Sequence, residues 1–129
     1  MELKLPTGYT PQTAYTMLHR LLLLTRLSHV KTKPIFAKHI AFERAYDGVA
    51  DLIDSITEQL IGYSGVDPMD LVIGTVSTMD VAELGDHIIQ EADKLVQFAE
   101  ASRWHNVANQ SQELSGIGAT LKFLSRYTT

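Results

Sequence analysis

Residues 34–65, PIFAKHIAFERAYDGVADLIDSITEQLIGYSG, decide the fold. Within them Phe42, Tyr46, Val49, Ile53, Ile56 and Leu60 recur at alternating spacings of four and three. At about 3.6 residues per turn that pattern draws one apolar seam along a helix, as in a helical bundle. Pro34 can open such a helix and Gly62 and Gly65 can stop it, so the pattern predicts a helix from Pro34 to about Ile61. No strand-like alternation accompanies it.

The flanking sequence repeats the theme. Thr10-Pro11 reads as a cap followed by proline in the first turn, and Ala14, Met17, Leu18, Leu21, Leu22 and Leu24 continue as a first helix ending near Lys31 to Lys33. After the quoted stretch, Asp67-Pro68 gives the same start signal and Gly74 closes it, which predicts a short connector helix. Asp80 caps a third long helix, with Val81, Leu84, Ile88, Ala92, Leu95 and Ala99 in register up to about Ser102. Val107, Leu114, Ile117, Leu121 and Leu124 mark a fourth, interrupted by Gly116 and Gly118. Each glycine costs about 1 kcal/mol against alanine unless close packing requires it. The expectation is an all-α protein, residues 1–129 forming a single four-helix bundle.

Composition narrows the function. The 129 residues are 45% hydrophobic and 20% charged, which suits one domain with one core. The longest apolar run, Leu21 to Leu24, is far below the roughly 20 residues a membrane span needs, and Glu2 follows Met1 where an export signal would be basic. A cytoplasmic protein is expected. With a net charge of −4 and no basic tail, DNA binding is not expected, and Arg20, Arg26, Lys31, Lys33 and Lys38 read as solubilising charges. There is no Cys, so a metal ion would bind through His, Asp or Glu.

Those ligands concentrate on the second helix. His39, Glu43, Asp47, Asp51, Asp54 and Glu58 fall within about 120° of arc, centred roughly 140° from the apolar seam. A solvated face is the plain reading of such a stripe. Against it, Phe36, Ile40, Ala50 and Ile61 lie on the same face, and no Lys or Arg stands four residues on to relieve the acids. A covered, uncompensated acidic face with a histidine suits a cation.

His39, Glu43, Asp54 and Glu58, as H-x3-E-x10-D-x3-E, resemble the ferroxidase-centre pattern of the Dps-type miniferritins, usually H-x3-D-x10-D-x3-E. His29 resembles that family's first-helix histidine, Gly62 to Gly65 its helix stop, and Asp67 to Gly74 its connector. Three departures stand out: the His29–His39 interval is short, Val30 replaces a Trp, and Glu43 replaces an Asp. The resemblance implies a ferritin-like bundle that binds and oxidises iron, Fe(II) to Fe(III), with peroxide or oxygen as oxidant. It also implies a site shared between subunits, His29, His39 and Glu43 from one chain and Asp54 and Glu58 from its two-fold partner. Asp54 lies about 16 Å along the helix from Glu43, too far to share one ion within that helix.

Two other classes compete. One is a bundle that keeps this architecture without the chemistry and serves as a binding scaffold. The other is an all-α nucleotide pyrophosphohydrolase of the MazG type, whose Mg²⁺-binding acidic motifs resemble Glu43-Arg-Ala-Tyr-Asp47 and Glu83-Leu-Gly-Asp86. The remaining histidines, His19, His87 and His105 beside Trp104, read as half-buried or capping residues.

Overall fold

The structure, a computed structural model, describes residues 8–32 and 35–128. Helix α1 (Pro11–Lys31) begins at an extended Thr10, whose hydroxyl accepts the Thr13 amide at 3.2 Å, while the Thr13 hydroxyl accepts the Thr10 amide at 3.4 Å. This is a capping box with Thr in place of the usual Glu. Helix α2 (Phe36–Ser64) outruns the sequence expectation by three residues, and Gly62 lies inside it. Gly65 ends it: at φ 68° it occupies the left-handed region open to glycine, and its amide donates to the Ile61 carbonyl at 2.8 Å. Lys33 and Pro34, read as a basic residue and a helix start, lie outside the described residues, as do Met1 and Glu2.

Helix α3 (Val81–Ala101) follows an Asp80 cap, and α4 (His105–Leu124) runs into a 3-10 turn at Ser125–Tyr127. The α3–α4 turn is tight. Arg103 takes φ 60°, and the Trp104 amide reaches back to the Ala99 carbonyl at 2.9 Å, closing the end of α3 as a glycine would.

The four helices pack as a bundle. His29 on α1 meets His39 near the start of α2, and at the other end the Tyr15 hydroxyl donates to the Val66 carbonyl at 2.6 Å, so α1 and α2 are antiparallel. Lys38, in the first turn of α2, pairs with Asp80 at 3.1 Å; α3 therefore starts beside the start of α2 and runs parallel to it. Helix α4 returns against α3, with Gly85 facing Gly118, and lies alongside α2, where Gln110 donates to Ser55 at 2.5 Å. The path is up, down, down, up.

Residues 65–80 make the crossover and contain no helix, which corrects the expected connector over Asp67 to Gly74. Chain length gives the reason. From the level of Ser64 back to that of Lys38 is roughly 39 Å of axis at about 1.5 Å per residue. The sixteen steps from Ser64 to Asp80, fully extended, span about 53 Å, but coiling half of them would leave roughly 38 Å, too little once the sideways step is included. The strand-like strap is tied to α1 by backbone contacts instead: Arg20 donates to the Ile73 carbonyl at 2.7 Å, and the Met69 amide donates to Gln12 at 2.9 Å.

The core is apolar, built on Tyr15, Leu18, Phe42, Ile53, Ile56, Leu84, Ile88, Leu95 and Leu114. Its buried polar residues are Thr25, Ser28 and Ser111, and the Thr25 and Ser111 hydroxyls donate to carbonyls of their own helices. Among the described residues no carboxylate or imidazole is buried, so the bundle interior holds no metal-ligand set. None of these helices is long and apolar enough to cross a membrane.

Candidate metal centre

The last turn of α1 and the first turns of α2 face each other, and three of the expected ligands meet there. One donor atom each from His29, His39 and Glu43 lies within 4.8 Å of the others, with the histidines half-buried and Glu43 exposed. The meeting depends on how α1 ends. Its last carbonyls lack helical partners; the Thr32 hydroxyl donates to Ser28 at 2.8 Å and His29 at 3.2 Å, and the His39 Nδ1 donates to the His29 carbonyl at 3.3 Å.

That last contact orients the ring. A carbonyl can only accept, so His39 carries a proton on Nδ1, and in the neutral imidazole that leaves the Nε2 lone pair for a metal. The His29 Nε2 lies 3.3 Å from it, and the two rings stack with centroids 4.3 Å apart. The spacing fits a shared ion: two nitrogens about 2.1 Å from one ion are separated by about 3.0 Å at a right angle and about 3.4 Å at a tetrahedral angle. The observed spacing falls between these values. The second-helix histidine also has its other nitrogen on a backbone carbonyl, the usual way a ligand imidazole is oriented.

The other two expected ligands stay apart. Asp54 and Glu58 are exposed on α2, beyond reach of the triad, and Glu58 borders a shallow hollow with Gln59, Gly62 and Tyr63. Asp47 and Asp51 are likewise exposed. The stripe thus faces outward from the bundle, and among the described residues no Lys or Arg pairs with Glu43, Asp47, Asp51, Asp54 or Glu58. Phe36, at 77% exposure, with Val30 and Ile35 forms an exposed apolar group beside the triad.

The paired acidic motifs on α2 and α3 do not converge. Glu43 and Asp47 form no ligand group with Glu83 and Asp86 among the described residues, and Asp86 instead pairs with Lys122 at 2.8 Å. His19 turns its Nδ1 to the Tyr15 carbonyl at 2.8 Å, His87 lines an open groove of about 440 Å³ between α1 and α3, and His105 is exposed at the start of α4.

Sequence reasoning missed the role of Tyr46. Its place in the seam pattern assigned it to the core, yet it is half-buried with its ring stacked toward His29, centroids 6.3 Å apart. The available signal was its position seven residues after His39, which sets both on one face of α2.

No curated protein matches this chain. No solved structure matches it either. A family model does match, over residues 29–124, a span that holds all five ligand candidates, and the chain belongs to that family, DUF5856, a family of unknown function.

Proposed function

We propose that this protein is a ferritin-like, Dps-type iron-binding protein that takes up Fe(II) and oxidises it at a site completed by a second copy of the chain. The observation that carries this reading is the convergence of His29, His39 and Glu43 from two helices to within 4.8 Å. Two imidazoles and one carboxylate with open positions suit Fe(II). The up, down, down, up path with a single long crossover is the path of ferritin-like bundles. The apolar interior among the described residues supports completion from outside the bundle. On the outer face, a two-fold partner with an antiparallel α2 would set its Asp54 and Glu58 against the triad. There two Fe(II) ions would each give one electron, reducing one peroxide to two waters or one dioxygen to peroxide with uptake of two protons, and the carboxylates would offset the charge gained. The net charge of −4 argues against DNA as a partner.

The test mixes two inactive variants, His39→Ala/Glu43→Ala and Asp54→Ala/Glu58→Ala. Refolded together, mixed dimers regain one intact site and part of the Fe(II) oxidation rate, read from the rise of Fe(III) absorbance. Proven heterodimers with no recovery would refute the shared site. Tight Fe(II) binding without any oxidation in the wild type would favour the scaffold reading.

A further inference from the structure

His39 and Tyr46 are seven residues apart on α2, two turns, so their side chains rise from one face about 10.5 Å apart. The His29 ring, reaching over from α1, lies 4.3 Å from the His39 ring and 6.3 Å from the Tyr46 ring. Those two separations together match the two-turn spacing. The three rings are close to parallel, at 25° and 16°, so His29 sits in a slot with His39 as one wall and Tyr46 as the other. Glu43 lies between them on the same face of α2, and its carboxylate opens toward the slot.

The two histidines are held differently. His39 is oriented by its own hydrogen bond to the His29 carbonyl. His29 stands on the third-last residue of α1, where helix ends fray, and among the described residues its ring has no hydrogen bond except the contact with His39. That contact, at 3.3 Å, is long and holds one side of the imidazole, and the flat face of Tyr46 is the group in position to stop the ring from swinging to solvent on the other. The Tyr46 hydroxyl makes no hydrogen bond among the described residues, so the ring rather than the hydroxyl carries the effect.

We propose that Tyr46 is a positioning residue that locks the His29 imidazole against His39, presetting the bite of the two nitrogens before any ion arrives. Its purpose rests on the metal-binding reading above, whereas the lock itself belongs to the metal-free protein. By holding one ring still, Tyr46 removes rotamer freedom that an incoming ion would otherwise have to remove.

The experiment compares Tyr46→Phe and Tyr46→Leu with the wild type in two measurements at one fixed pH. In metal-free protein, the ¹H shifts of the His29 ring, assigned by its absence in His29→Gln, report the currents of the rings on either side. The Phe variant keeps the wild-type shifts, and the Leu variant moves them toward the free-histidine values while its melting temperature stays close to wild type. In Co(II) titrations followed by visible absorbance, Phe binds as wild type does and Leu binds about 3- to 10-fold more weakly, the size of one aromatic stacking contact. Unchanged His29 shifts in the Leu variant would overturn the proposal, as would a Phe variant that falls as far as Leu. Should the wild type bind neither Co(II) nor Fe(II), the metal reading fails, and the ring shifts still decide whether Tyr46 holds His29.

Discussion

The two helical hairpins of this bundle solve different problems. In α3–α4 the backbones come so close that a Cβ on Gly118 would stand 2.6 Å from the Gly85 carbonyl oxygen, and one on Gly85 2.7 Å from the Gly118 carbonyl oxygen. The connecting turn is short, and its α3 face is a regular apolar row from Val81 to Ala99. In α1–α2 the end of the hairpin instead carries two stacked imidazoles, a carboxylate and an exposed Phe36. Placing polar ligands where apolar contacts would fit sacrifices packing for chemistry. The comparison teaches that the closest backbone packing lies in one hairpin and the candidate function at the open end of the other, while the apolar core is shared by all four helices, so changes at the ligand end should leave the bundle largely intact.

The largest expected effect separates the two cleanly. Replacing both histidines, His29→Ala with His39→Ala, removes two of the three converging donors and should weaken Fe(II) or Co(II) binding by at least about 100-fold, roughly 2.7 kcal/mol. Calorimetric titration measures it, and a melting temperature within a few degrees of wild type shows that the shared core still holds the bundle. Unaltered affinity would remove the distinction between the hairpins.

A second comparison lies within α4. Gly118→Ala drives a methyl group into backbone atoms that cannot step aside and should destabilise by about 1–3 kcal/mol, less the helix propensity alanine brings. Gly116, two residues earlier, has nothing within 4 Å of its would-be Cβ, so Gly116→Ala should stabilise by about 0.5–1 kcal/mol. Chemical denaturation of the two variants should shift in opposite directions; a shared sign would mean that the close approach is not what requires Gly118.

The smallest effect joins the hairpins. The Asp80 carboxylate accepts the Val81 amide at 2.8 Å and pairs with Lys38, and these contacts, the backbone one first, hold its pKa below the ordinary value. A carboxyl whose pKa is lowered by folding contributes stability above its unfolded pKa of about 3.9, and that contribution fades as the pH falls through the folded value. Asp80→Ala should therefore cost about 0.5–1 kcal/mol at pH 7, because the cap reaches only the first helical amide and the ion pair is exposed. In denaturation curves the gap from wild type should close by about pH 2.

Much of this architecture was legible in residue order. The Thr10-Pro11 start, the Phe42 to Leu60 seam and the Asp80 cap are local signals, and each element stands where they put it. The outward direction of the acidic stripe also followed from helical phase alone, since Glu43, Asp54 and Glu58 are all exposed. What local signals could not give was anything set by distance between elements. Asp67-Pro68 looks like a helix start because its neighbours favour one, and the length of the crossing overrules them. Gly116 and Gly118 look alike in sequence, and only the approach of Gly85 tells them apart. Likewise Tyr46 fits the apolar seam by phase, and its facing partner, His29, lies on another helix.

The crossover strap has a consequence for how this chain tolerates change. Its anchors on α1, Tyr15 and Arg20, grip carbonyl oxygens that every residue type supplies, while strap side chains such as Val72, 86% exposed, and Met69 point away. The strap is thus specified by how far it must reach and by the few side chains, Leu71, Val76 and Met79, that pack against the core, and its exposed positions are free of either demand. The sixteen steps from Ser64 to Asp80 hold about 53 Å against the roughly 39 Å of axis to be covered, a surplus of about four residues. Substitutions and insertions at exposed Val72 should pass unnoticed, whereas deletions beyond about four residues should pull α3 out of register with α2, making the strap a measuring tape that can be lengthened at its exposed positions but not cut far short.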